Sequence, residues 1–275
     1  PTDYRDKVDT TWNLAMDRVK EEAPEGADLL NLCAFLASDN IPRSLFNEGN
    51  KHLPESLTDT LAVNRAVDAL RRYSLIDASP ENAALSVHRL VQVVTRDQLS
   101  DGERKRWVEV AVQLVNSAFP SQSDDVLTWD KCIILLPHAM AVADHAEKLK
   151  TAPESTCRLL NQAGCYLHGR AEFIEAKSAI ERSLKIGENT LGPDHPLFAI
   201  CVNNLGEVLR AQYDLVSAKR LFERALKIDE KAFGPNHPKV AVDVNNLGLV
   251  LQAMGNLDGA KKLFERALKI DENAL

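Results

Sequence analysis

Apolar residues recur at helical spacing along nearly all of this 275-residue chain, and near the C-terminus the pattern itself repeats. Residues 192–233 and 234–275 are each 42 long and agree at 27 positions. A weaker copy occupies 150–191, so steps of 42 carry Asn161 to Asn203 to Asn245 and Gly164 to Gly206 to Gly248. Each copy holds two apolar runs separated by a short polar break. In the second copy these are Val202, Leu205, Val208 and Leu209, then Leu215, Ala218, Leu221, Phe222, Ala225 and Ile228. The spacing predicts a helical hairpin per copy, and a period of this length predicts stacking into a solenoid. Gly206 and Ala218 are small where the two helices should cross, which permits close approach.

The first hundred residues are patterned differently. Trp12, Ala15, Met16 and Val19 form one helical stripe within residues 8–19, and residues 27–37 are almost wholly apolar, as in a buried helix. Residues 39–42 read as the cap of a short helix through Phe46, stopped at Gly49. A longer amphipathic helix is predicted over 57–73, with Leu61, Val63, Val67, Leu70 and Tyr73 inward. Two short β-prone runs, 74–78 and 84–87, flank Ser79-Pro80-Glu81-Asn82 and predict a hairpin; a helix from His88 or Arg89 to Leu99 follows. Two more helices are expected over 103–119 and 126–149, the latter interrupted at Pro137.

These elements divide the chain into 1–100, an irregular hairpin at 101–149 that joins and caps the array, and three repeats over 150–275. Gly206, Ala218, Phe222 and Ala225, and Gly248, Ala260, Phe264 and Ala267 one unit later, resemble the small and aromatic positions of the tetratricopeptide repeat (TPR). The 42-residue period and the Gly-Pro-Asp/Asn-His-Pro joint are similar to its kinesin-light-chain-like subclass, although Glu230 and Glu272 stand where a late proline is usual. Residues 32–36 with Ile41-Pro42, and above all the run 85–92 (Leu-Ser-Val-His-Arg-Leu-Val-Gln), resemble the winged-helix segment of bacterial-type NB-ARC proteins of the STAND class. The fold the resemblances imply is mainly α: a winged-helix domain with a small β-hairpin, followed by an α-solenoid of TPRs.

The NB-ARC resemblance gives His88 a role. It occupies the histidine position of the family's MHD motif, whose imidazole touches the β-phosphate of ADP, although Val87 and Arg89 replace the flanking Met and Asp. A histidine at a helix start can add a hydrogen bond to an anion beside backbone N–H donors. A structural histidine at a strand-to-helix junction is the competing reading. The chain has no Gly-x-x-x-x-Gly-Lys-Ser/Thr loop, so catalysis is not expected of it; ADP or ATP with Mg would belong to a nucleotide-binding domain upstream in cis, with oligomerisation on activation.

Stacked first helices would line a concave face with Asn161, Asn203 and Asn245. Glu207 lies one turn on, and His168, Arg210 and Gln252 the next. An asparagine ladder offers donors and acceptors to a peptide backbone, and similar ladders bind extended peptides in the kinesin-light-chain-like class. The alternative is that Asn204 and Asn246 tie neighbouring helices together and the ladder is merely solvated.

Composition narrows the partners. Net charge is −7, and residues 1–100 hold 11 Lys/Arg against 16 Asp/Glu, the wrong sign for nucleic acid. Cys33, Cys132, Cys157, Cys165 and Cys201 lie in apolar patterns without a CxxC pair, as thiols of a reducing cytoplasm would. No signal peptide is evident and no uninterrupted apolar run approaches 18 residues, so no membrane span is expected. His195 and His237, and His138 and His145, have no thiol or carboxylate placed to complete a metal shell; Asp194 and Asn236 are the expected caps of the helices that start at Pro196 and Pro238. With a start at Pro1 and a last repeat that lacks a polar capping helix, the sequence is expected to be a fragment of a longer protein. The expected function is the regulatory and sensor part of a STAND switch, with a protein or peptide trigger on the repeats and a role in defence signalling. A TPR scaffold without nucleotide switching is the alternative, and a DNA-binding regulator a weaker one.

Overall fold

The computed structural model describes residues 2–78 and 83–274, apart from the side chains of 2–11, 50 and 274. Contacts divide the chain into two compact units, Pro1–Ser121 with Asp130–Leu159, and Gln122–Trp129 with Leu160–Leu275.

The first unit opens with α1 (Thr2–Glu22) and α2 (Glu25–Cys33), followed by β1 (Ile41–Pro42), α3 (Ser44–Glu48) and α4 (Thr60–Arg72). It continues with β2 (Asp77–Ala78), β3 (Ala84–Ser86), α5 (Arg89–Gln98), α6 (Asp101–Ala118) and α7 (Trp129–Leu149). The stripe of α1 buries Met16 and Val19, α2 packs on α4 and buries Leu29, Leu30 and Leu32, and the turn after it buries Phe35 and Leu36. Asp59 caps α4 by accepting from the Leu61 amide at 3.1 Å. Val63, Ala66, Val67 and Leu70 make its inner face, whereas Leu61 is 65% exposed. The expected inward Leu61 is therefore wrong: two residues before Val63, it lies well off the stripe that the 63, 66, 67, 70 spacing defines.

The small sheet has three strands in the order β1-β3-β2, all antiparallel, with Ile41 opposite Leu85 and Asp77 opposite Ser86. Ile41-Pro42, read from the sequence as the start of a helix, is instead its edge strand. Pro42 lacks an N–H and is tolerated at such an edge. The expected turn at Ser79–Asn82 lies outside the described residues. Ser100 caps α6 in a reciprocal box with Glu103, which bonds the Ser100 backbone amide at 2.8 Å. α6 packs on α2 and α3, with Leu114 against Gly49 so tightly that a Cβ there would lie 2.2 Å from its methyl.

Helix α7 runs unbroken through Pro137, correcting the expected interruption. By length and composition the stretch Val126–Leu149 is apolar enough to cross a membrane, although polar residues interrupt its apolar run in the sequence. In this fold its stripe of Cys132, Leu135, His138, Ala139, Val142, Ala143 and Ala146 is buried. His138 Nε2 donates to the Asn40 carbonyl at 3.0 Å, and the His145 ring stands edge-on to Phe35 at 5.2 Å. Both imidazoles thus have protein partners, and burial lowers both pKa values, that of His145 to about 4.

α8 (Pro153–Gly169) crosses from the first unit into the second, which continues with α9 (Phe173–Thr190), α10 (Pro196–Ala211), α11 (Leu215–Phe233), α12 (Pro238–Ala253) and α13 (Leu257–Ala274). These are the predicted hairpins. Gly206 takes the ring of Phe222, and Gly248 that of Phe264, each closer than 3 Å to where a Cβ would stand. Phe198, Ala199, Val202, Ala225 and Ile228 form one core, joined by Leu184 of the preceding hairpin. Val240, Ala241, Val244, Ala267 and Ile270 form the next, joined by Leu226. Each hairpin is completed by its neighbour, which is the energetic basis of a solenoid. The joints turn on Gly192 and Gly234, at φ +86° and +87°, a region closed to most side chains.

The cap at each joint differs from the sequence reading. His195 and His237 are the N-caps of α10 and α12, and each Nδ1 accepts the amide two residues on at 3.2 Å. Asp194, the expected cap, instead pairs with Lys231. With Pro196 or Pro238 at the helix start, the residue just before it holds the extended backbone of a cap.

Candidate functional site

Two regions could carry recognition, one in each unit. In the second unit the first helices of consecutive hairpins are tied by asparagines. The Asn204 amide donates to Asn161 Oδ1 at 3.0 Å and to Cys165 Sγ at 3.2 Å, and Asn246 donates to Asn203 Oδ1 at 3.1 Å. Asn161 is buried, Asn203 half-buried and Asn245 exposed. The ladder is thus a graded feature: its first two members give their acceptor oxygens to the neighbouring helix, while Asn245 presents its whole amide outward.

One turn further along α10, Glu207 Oε2 accepts from Arg210 at 2.6 Å. The two half-buried side chains neutralise one another, and Glu207 Oε1 and Arg210 Nε are buried without a partner. His168 senses both: burial lowers its pKa most, Glu207 opposes that and Arg210 adds to it. Its ring lies 5.7 Å from Phe173. The structure therefore brings His168, Glu207 and Arg210 into one polar cluster; Gln252, at the matching position of α12, is exposed. Exposed Ile200 and Val242 precede Asn203 and Asn245 by three residues on the same helices.

In the first unit His88 is the N-cap of α5. Its Nδ1 accepts the Leu90 amide at 3.2 Å, and the side chain is exposed. A neutral imidazole that accepts at Nδ1 carries its proton on Nε2, so the outward nitrogen is a donor. It borders a hollow of about 540 Å³ lined by Asp39, Arg71, Ser74, Asp77 and Ser86. Val87, beside it, is buried, and its amide donates to the Ser38 carbonyl at 2.7 Å, which fixes the strand-to-helix junction. Arg71 and Ser74 as neighbours of His88 were not foreseen, because only the sheet brings the end of α4 to this junction.

Among the described residues no three His, Cys, Asp or Glu side chains are arranged to hold a metal ion. The five cysteines are not disulfide-bonded, and burial pushes Cys33 and Cys165 up to about 12, far from the thiolate.

Comparison with known proteins defines the class of the second half first. Residues 155–231 and 198–273 match the tetratricopeptide repeat family, and residues 17–104 match a domain of unknown function, DUF7779. The C-terminal part of the chain is a TPR array with a kinesin-light-chain-like fold. Three solved structures illustrate it: the nearly identical TPR-like repeats of a Podosopora anserina kinesin light chain candidate (TM-score 0.51, 16% identity, 84% of this chain and 95% of that one), BtubC (BKLC) from P. vanneervenii (0.52, 15%, 84% and 89%) and the apo form of RapI (0.51, 14%, 84% and 71%). In sequence, a nucleotide-binding leucine-rich repeat (NLR)-like protein of Hyaloscypha variabilis is 27% identical over 188 residues. That match takes in 68% of this chain and 18% of the relative, so the chain spans about a fifth of that protein's length.

Proposed function

We propose that this chain is the sensor portion of a STAND-type signalling switch, in which the repeats engage a protein or peptide trigger and the first unit reads the nucleotide state. The similarity over 188 residues to an NLR-like protein carries this reading. A three-stranded sheet with helices before and after it supports reading the first unit as a winged helix. His88 at its last junction offers an Nε2–H donor to a β-phosphate supplied by an upstream nucleotide-binding domain. ADP, or ATP with Mg, would be held by that domain, with exchange leading to oligomerisation; a cytoplasmic defence role follows from the same resemblance. In this reading the chain supplies recognition, and any nucleotide chemistry belongs to the upstream domain.

The repeat face suits a peptide backbone. Asn203 and Asn245 offer amide donors, and the Glu207–Arg210 pair cancels its own charge, leaving hydrogen bonding and the aliphatic Ile200 and Val242 as the available contacts. A scaffold role without nucleotide switching would use the same face. The coding frame upstream of Pro1 separates the two: a strand followed by Gly-x-x-x-x-Gly-Lys-Ser/Thr within about two domain lengths supports the switch, and a frame without a phosphate loop leaves only the scaffold.

A further inference from the structure

Between the last two hairpins, two aspartates face one another across the joint. Asp229 lies on the last turns of α11 and Asp243 in the first half of α12, two helices that pack together; they are 4% and 3% exposed, and their carboxyl groups are near enough to share a proton. Asp229 Oδ1 and Asp243 Oδ2 are buried without a partner. The preceding joint has no counterpart, because Gly187 and Cys201 occupy the matching positions and Cys201 sits 3.3 Å from Ser183.

The charged groups around the pair do not neutralise it. At the start of α12, Lys239 lies 4.5 Å over the Phe233 ring and His237 is stacked on the same ring at 4.6 Å. Glu230, next to Asp229, is held by Arg266 of α13. α10, which also touches α12, contributes Glu207 and Arg210, and these pair with each other. Two carboxylates in one desolvated site cannot both be charged without strong repulsion, so the closed joint retains one proton between them.

We infer that Asp229 and Asp243 form a proton-sharing joint that makes the fit between these two repeats depend on pH. It holds the hairpins together when one proton is bound and loosens them when both carboxyls ionise. This device is independent of the trigger-binding reading. Burial first, then the charge of Asp229, raises Asp243 to about 7, and burial raises Asp229. A raised acid binds its proton more tightly in the folded state than in the unfolded one. Stability from the joint is therefore full below the ordinary aspartate range and falls as pH rises toward 7, by up to about tenfold in the opening equilibrium per pH unit.

The experiment is hydrogen exchange of the whole chain, read on peptides from α11 and α12 at pH 5, 6, 7 and 8 and corrected for intrinsic exchange. Wild type should open progressively more as pH rises through this range. Asp243→Asn, isosteric and unable to ionise, should flatten that dependence and open less than wild type at pH 8. Asp229→Asn, which leaves a single carboxyl, gives an independent second variant if the first does not fold. Peptides from α9 and α10 should show no difference between wild type and either variant. Wild-type and Asn variants with the same pH profile in α11 and α12 would overturn the proposal.

Discussion

The paired glycines give one experiment with its own internal control. Gly206 and Gly248 occupy equivalent helix interiors, where alanine is favoured over glycine by about 1 kcal/mol. At Gly206 a Cβ would lie 2.7, 2.9 and 3.0 Å from three atoms of the Phe222 ring, and at Gly248 2.6, 2.9 and 3.2 Å from three of Phe264. The clash is the same, but the freedom to relieve it is not. Phe222 is 0% exposed, on a helix against which α12 of the next hairpin packs, whereas Phe264 is half-buried and borders an open hollow with Leu257 and Leu268. Overpacking a closed core costs about 1–3 kcal/mol. Gly206→Ala is therefore expected to destabilise its hairpin by roughly 0–2 kcal/mol net of the helix gain. Gly248→Ala should let the ring swing outward and keep most of the gain. Native-state hydrogen exchange resolves the two hairpins separately, with faster exchange in α10 and α11 for the first variant and unchanged or slower exchange in α12 and α13 for the second. If Gly206→Ala slows exchange in its hairpin as much as Gly248→Ala does in its own, the argument from neighbour coverage is wrong.

His195→Ala removes a cap that His195→Asp can restore, so thermal unfolding of the first should be weaker by about 1 kcal/mol and the second near wild type. Asn246→Ala deletes the donor to Asn203 and should cost about 1 kcal/mol, read as faster exchange in both α10 and α12. Asn245→Ala, at an exposed side chain, should leave stability within about 0.5 kcal/mol of wild type, so any loss of peptide binding it causes can be assigned to the face itself.

The repeats were legible because periodicity writes the same physical requirement more than once: a small residue at the crossing in all three copies and, in the last two, an aromatic against it and a glycine where φ must be positive, positions that Ile180 and Lys150 fill in the first. The first unit was legible in its order of elements but less so in detail. Ile41-Pro42 carries too few residues for alternation to show, and it is a strand only because β3 supplies its partner. Leu61 is apolar yet outward, since hydrophobicity alone does not decide which side of a helix meets the core. The histidine caps escaped notice because Asp194 and Asn236 are the stronger cap formers by type, and the proline that follows moves the role by one residue. Asp243 did leave a signal: a carboxylate among Val240, Ala241 and Val244, on a stripe otherwise apolar. Its partner Asp229 comes from the neighbouring repeat and could be found only by stacking.

The reading of the chain as part of a nucleotide switch is tested most directly by the nucleotide that the complete gene product carries. Protein purified without added nucleotide, denatured and analysed by mass spectrometry, should release about one ADP per chain, and His88→Ala should release markedly less while its circular dichroism is unchanged, since the lost contact is a single hydrogen bond to a charged group. Complete protein that carries no nucleotide, or a His88→Ala variant that retains ADP as wild type does, would contradict the account.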